Sequence, residues 1–403
     1  MPVQCRRVGC RDAAAVARCR AVRARPVIAV ALVAAAAACS VGERPVLIGP
    51  TVAAVPTRTA AATASLTPSP TPGPSPTGPP AITLAFSGDM LVSDELRAQA
   101  ARDAGGHGYD FTPMLADVAP IIRDADWAVC HQETPISADN TDLSGYPTFS
   151  APYQLAEAEK AAGFDSCTTA SNHTVDKGLA GIDATLDTFD RVGVRHVGSA
   201  RSAAEAARWV IYRVRGVRVG HLAYAYGLNG FTAPTPWSVN LIDPARIRAD
   251  AAAIRRAGAQ FVVVSLHFGT EKVQTPSAYQ REVVDAVLRS PDVDLVIGHH
   301  AHVVQPIQRR RDGRWVVFGL GNLLAQQALM PGEGTTPPHR DGVIVRVTIA
   351  SDPTGRYGVR RVGYVPTFVQ APEDVVRLAP PFSRNRTSAV LRSMGAPIAD
   401  DTP

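Results

Sequence analysis

The chain has 403 residues and is 46% hydrophobic, which supplies a substantial core and excludes a wholly disordered protein. Its formal charge of +5 does not describe the body, because residues 1–38 hold seven Arg against one Asp, a local +6, and the remainder carries −1. Nucleic acid is therefore not an expected partner.

The first 39 residues read as a signal peptide: a cationic start, then the apolar run from Pro26 to Ala38, which is too short to span a bilayer comfortably. Ala36-Ala37-Ala38-Cys39 resembles a lipobox, so the expectation is an exported lipoprotein facing outward from the cell membrane, anchored through Cys39. Plain secretion and an uncleaved anchor are the alternatives. Residues 40–81 form a linker whose composition collapses to Pro, Thr, Ser, Ala and Gly, as in Thr67-Pro68-Ser69-Pro70-Thr71-Pro72; it cannot bury a core and serves as an extended spacer. The body spans 82–375, and 376–403 reads as a C-terminal tail, loose and polar from about Pro380.

Within the body, helices are predicted at Gln154–Ala162, Gly178–Val192 (apolar stripe Leu179, Ile182, Leu186, Phe189) and 277–289 (Val283, Val284, Val287, Leu288). Strands are predicted at Arg195–Val197, 209–214, 217–226, 261–266, 295–298, 315–319 and 343–349, with a hairpin about Gly216. Parallel β-α units followed by C-terminal strands without intervening helices predict an α/β fold of two mixed sheets between helix layers. Arg309-Arg310-Arg311 before Asp312-Gly313 reads as a solvated hairpin turn. Cys5, Cys10 and Cys19 fall in the leader, and Cys130 and Cys167, inside apolar runs, read as buried free thiols rather than a disulfide.

Polar clusters recur where apolar, strand-like runs end. Leu84-Ala85-Phe86-Ser87-Gly88 ends in Asp89; Trp127-Ala128-Val129-Cys130 in His131-Gln132-Glu133; Ser166-Cys167-Thr168-Thr169-Ala170 in Ser171-Asn172-His173; 261–266 in His267; and 293–297 in Gly298-His299-His300-Ala301-His302. Ligands of open α/β sheets bind beyond the carboxyl ends of the strands, so these clusters are expected to share one crevice, and three imidazoles at one strand end point to a metal.

Six pieces in order carry a resemblance: Ser87-Gly88-Asp89-Met90; Ala125-Asp126-Trp127 leading to Glu133-Thr134-Pro135; Ser171-Asn172-His173 through Gly178; His267-Phe268-Gly269-Thr270-Glu271; Gly298 through Pro306; and Gly319-Leu320-Gly321-Asn322. Over 82–368 the chain resembles the bacterial capsule-synthesis, poly-γ-glutamate biosynthesis proteins of CapA type, which are similar to calcineurin-like metallophosphatases. Against that pattern, His131-Gln132-Glu133 stands where Asn-Leu-Glu is usual. Phe268 and Lys272 replace Trp and Tyr, and Ala301 replaces Pro.

The resemblance implies a calcineurin-like fold and a site for one or two divalent ions (Mn, Fe or Zn). Asp89, Glu133 and His302 would hold one metal, and Glu133, Asn172, His267 and His300 the other, a donor set suited to hydrolysis. Leu91 occupies the place of a usual His ligand, leaving one metal a ligand short unless His131 or His299 supplies it. His173 matches the residue that contacts the scissile group, with Asp176 placed to orient it. His131 otherwise reads as a group behind the ligands and His299 as either a ligand neighbour or a packing residue; His107, His196, His221 and His339 join no cluster. Gly88, Gly178, Gly298 and Gly321 read as turn geometry. The implied function is synthesis, transfer or release of an anionic extracellular polymer such as poly-γ-glutamate. A cell-surface metallophosphoesterase and a non-catalytic accessory subunit are the alternatives. The implied partners are that polymer or a phosphoester substrate, membrane-bound polymer-synthesis subunits, and the membrane itself through the lipid anchor.

Overall fold

A computed structural model describes residues 81–326 and 337–403; the signal peptide, Cys39 and the linker up to residue 80 lie outside the described residues. In chain order the described strands are β1 (Ile82–Leu91), β2 (Trp127–Gln132), β3 (Ser166–Thr168), β4 (Arg195–Val197), β5 (Ile211–Val214), β6 (Val217–Ala225), β7 (Phe261–His267), β8 (Leu295–His299), β9 (Ile307–Arg309), β10 (Trp315–Val317), β11 (Asn322–Ala325), β12 (Asp341–Ser351), β13 (Tyr357–Gln370), β14 (Val375–Leu378) and β15 (Ala399–Asp400). They form two mixed sheets. One runs β14-β13-β12-β1-β2-β3-β4, with β11 beside β1 and β15 beside β13; the other runs β5-β6-β7-β8-β10-β9.

The continuous apolar runs at the centre of each sheet follow from burial on both faces. Along β7 the pleat sends Phe261 and Val263 into the core between the sheets, with Leu84, Phe86 and Trp127 of the first sheet, while Val262 and Val264 enter the layer of helices Pro244–Arg256 and Ala278–Val287. On the first sheet Ala85, Ala128 and Cys130 face the other way, toward helices that include Gln154–Ala162. The predicted sandwich of two mixed sheets between helices is thus the observed one. The helices Gln154–Ala162 and Gly178–Val192 occupy their predicted spans, and Ser277 caps the helix Ala278–Val287 through a reciprocal bond pair with Gln280.

Two expectations are corrected. Cys130 and Cys167 are not free thiols: β2 and β3 run parallel with these two residues in register, and they form a disulfide. The C-terminal stretch is not a loose tail. It forms the helix Pro381–Arg392, fastened where Arg386 pairs with the fully buried Asp341 and Ser383 Oγ donates to the same carboxylate at 2.6 Å, and β15 then pairs with β13. No described helix is long and apolar enough to cross a membrane.

Candidate metal centre

The parallel strands β1, β2 and β3 of one sheet and β7 and β8 of the other deliver their carboxyl ends to a common crevice. Asp89 comes from the end of β1, Glu133 from the residue after β2, Asn172 and His173 from the loop after β3, His267 from the last position of β7, and His300 and His302 from the turn after β8. Gly88 permits this convergence at β1, because a Cβ there would collide with the Gly321 carbonyl whose oxygen accepts from Asp89 N–H at 2.9 Å. His300 and His302 hold φ of +85° and +54°, backbone strain of about 1–3 kcal/mol each that the surrounding packing sustains.

All six predicted ligands are buried. Oxygen or nitrogen atoms of Asp89, Glu133 and His302 lie within 4.8 Å of one another, as do those of Glu133, His267 and His300, so Glu133 is common to two groups of candidate ligands. Asn172 joins the second half: its Oδ1 lies 2.7 Å from His267 Nε2. Two further groupings meet the same limit, Asp89 with His131 and His299, and Glu271 with His300 and His302. Asp89 thus has two further imidazoles, His131 and His299, within metal-ligand reach.

The two carboxylates differ in state. Burial alone would raise the Asp89 pKa, but the bond to His299 Nδ1 at 3.2 Å and the fields of His131, His299 and His302 prevail and lower it to about 2; the backbone N–H of His300 also donates to it at 3.0 Å. Glu133 is pushed well above the usual carboxylate range by burial, reinforced by the charges of Asp89, Glu271 and Asp176. Both of its oxygens are buried without a hydrogen-bond partner. His302 Nε2 stands 3.5 Å and His267 Nε2 3.9 Å from Glu133 Oε1. Burial, followed by the positive fields of neighbouring imidazoles, holds His267 and His131 well below the usual histidine range and His300 at about 3. Imidazoles held below their usual range at His267 and His300, beside a buried carboxylate without a hydrogen-bond partner, are a donor set that suits a divalent cation.

Sequence reasoning left His131 behind the ligands, and the structure shows what it does there. Its Nδ1 lies 2.7 Å from Thr168 Oγ1 and its Nε2 2.8 Å from His267 Nδ1. With a cation at its Nε2, His267 would donate from Nδ1 to His131 Nε2, and His131 would in turn donate from Nδ1 to the Thr168 hydroxyl. The Cys130–Cys167 disulfide ties the preceding register pair on the same two strands. Two asparagines were missed. Asn322 Oδ1 accepts from His302 Nδ1 at 2.9 Å, leaving Nε2 toward Glu133, and Asn229 Oδ1 accepts from Asn172 Nδ2 at 3.0 Å, which aims Asn172 Oδ1 at His267. Asn322 stands in the quoted Gly-Leu-Gly-Asn run; Asn229, with φ of +51°, has no sequence signal beyond the following Gly230.

His173 and Asp176 meet as expected, Nδ1 to Oδ2 at 2.7 Å, and Phe149 N–H donates to that oxygen at 2.8 Å. The Phe149 ring meets the His173 ring edge-on at 4.8 Å. His173 and His302 open onto a cleft of about 660 Å³ whose wall includes Tyr146, Phe149, Glu271 and Lys272. Gly298 is a close-approach position, where a Cβ would strike the Phe318 carbonyl, whereas Gly178 and Gly321 are true turn positions with φ of +60° and +69°.

The family model of the bacterial capsule synthesis protein PGA_cap matches residues 83–327. The chain belongs to this family. Among curated relatives, it is 25% identical to the capsule biosynthesis protein CapA of Bacillus anthracis over 61% of this chain and 60% of that protein. It is 26% identical to the PGA biosynthesis protein CapA of Bacillus subtilis over 69% and 70%. The match thus spans between about three fifths and seven tenths of those relatives' length. A solved phosphatase structure from Mycoplasma pneumoniae resembles it at 13% identity with a TM-score of 0.43, over 76% of this chain and 97% of that one, a score too low to add to the argument.

Proposed function

We propose that this PGA_cap protein is an exported, membrane-tethered, metal-dependent hydrolase that acts on an anionic extracellular polymer such as poly-γ-glutamate, in its synthesis, transfer or release. The observation that carries the metal is Glu133, a buried carboxylate with no hydrogen-bond partner for either oxygen, set among His267, His300 and His302. The polymer follows from the family and from relatives named for capsule and PGA biosynthesis.

Asp89, Glu133 and His302 would hold one cation and Glu133, Asn172, His267 and His300 the other. Bound there, a divalent cation supplies Lewis acidity to the substrate carbonyl or phosphoryl oxygen and brings water toward ionisation near neutral pH. The chain's own residues do the rest. His173, fixed by Asp176 and by the Phe149 ring, presents an imidazole at the mouth of the centre, where it stabilises developing charge and hands a proton to the leaving group. Phe149 and Tyr146 form the outer wall that a substrate passes.

The test is elemental analysis paired with turnover of poly-γ-glutamate and of a generic phosphodiester, with and without Mn. Metal-dependent cleavage of the polymer is the expected result. Cleavage of the phosphodiester alone would replace the polymer by a phosphoester substrate, and absence of metal from the folded protein would leave an accessory role. His267→Ala combined with His300→Ala strips the metal while leaving the fold intact; unchanged metal content removes the ligand assignment.

A further inference from the structure

The two sheets end on one flank in the edge strands β4 and β5. Beside them lies a second cavity, of about 390 Å³, that shares no lining residue with the cleft at His173. It is within the size range of ligand sites. Two of the chain's four tryptophans, Trp209 and Trp237, line it, and Trp209, just before β5, is 39% exposed. The Trp237 indole N–H is buried without an acceptor.

The charges around it are unevenly spent. Both acids of the cavity, Asp190 and Glu205, are taken by Arg201, at 2.7 Å for Asp190 and through a fork for Glu205. Arg195 and Arg208 also line the cavity, and neither has a carboxylate partner among the described residues. Arg195 instead lies over the Tyr212 ring at 4.7 Å, which holds its guanidinium in place while leaving its N–H groups unspent. The net supply is donors, two guanidiniums, with the flat apolar surface of two indoles beside them.

We infer that this cavity is a binding site for a carboxylate-bearing chain, with Arg195 and Arg208 pairing with carboxylates and Trp209 and Trp237 packing its methylenes and amide planes. It would seat the anionic polymer away from the metal centre, so that a long chain is held while one segment enters the cleft. The inference rests on the polymer reading given above.

Calorimetric titration of the full-length protein with a short γ-linked glutamate oligomer tests it, comparing the natural sequence, the double variant Arg195→Ala with Arg208→Ala, and Arg213→Ala as an exposed arginine of β5 outside the cavity. The expected result is binding that weakens with salt, is lost at least about 10-fold in the double variant and persists in Arg213→Ala. Equal binding by all three proteins overturns the cavity and leaves the polymer reading standing. Failure of every protein to bind the oligomer overturns both, as does binding of a neutral oligosaccharide of equal length in its place.

Discussion

Glu133 and Glu159 show the same symptom in different company. Each is buried, each has both carboxylate oxygens without a hydrogen-bond partner, and each is held well above the usual carboxylate range. Around Glu133 stand Asp89, His267, His300 and His302. Around Glu159, on the helix Gln154–Ala162, burial is the sole cause of the shift, and the nearest metal-capable atoms are the sulfurs of Cys130 and Cys167. Those sulfurs are joined to each other and offer no thiolate. An orphan buried carboxylate is therefore not by itself a candidate site; the imidazoles of His267, His300 and His302 within ligand reach of Glu133 are what make it one. At Glu159 the same orphan is a stability cost.

Glu133→Gln should reduce metal affinity by more than about 100-fold, since it removes the group common to both half-sites, and metal titration by calorimetry reads it directly. Glu159→Met should leave metal content unchanged. Opening the disulfide with Cys130→Ser and Cys167→Ser, which bound a separation of 37 residues, should lower stability by up to about 4 kcal/mol in denaturant unfolding. If the two sulfurs sat in the metal site rather than behind it, metal content would fall in step.

Smaller effects sharpen the contrast. Glu159→Met should raise stability by about 1–2 kcal/mol at neutral pH. The sign in pH follows from the raised value: the folded state keeps the proton while the unfolded chain releases it above 4.5, so the penalty is absent below that pH and grows as pH rises. The gain in Tm should accordingly be larger at about pH 8 than at about pH 4. His131→Asn should weaken metal binding by about 10-fold with the fold intact, because His267 loses the imidazole bonded to its Nδ1.

Much of this centre was legible because chemistry-bearing residues close apolar runs, and the period-2 and helical stripes place those runs on strands and helices. What escaped needed contact across the fold. Nothing local distinguishes Cys130 and Cys167 from core thiols until β2 and β3 are set in register. The relay through His131 depends on Thr168 arriving from the neighbouring strand. Asn229 reaches Asn172 from a loop whose conformation no pattern specifies. The longest strand, β13, was unread because Gly358, Gly363 and Pro366 look like breakers; pairing along β12 overrides them. The C-terminal helix was hidden for a similar reason, since its anchor is the buried Asp341 some forty residues away.

Elemental analysis of the natural protein and of Glu133→Gln, loaded and dialysed side by side, tests the centre most directly. The structure predicts at least one bound divalent ion per chain in the former and its loss in the latter. Equal metal content in the two proteins, or a folded natural protein that retains none, would contradict a metal centre built on Glu133.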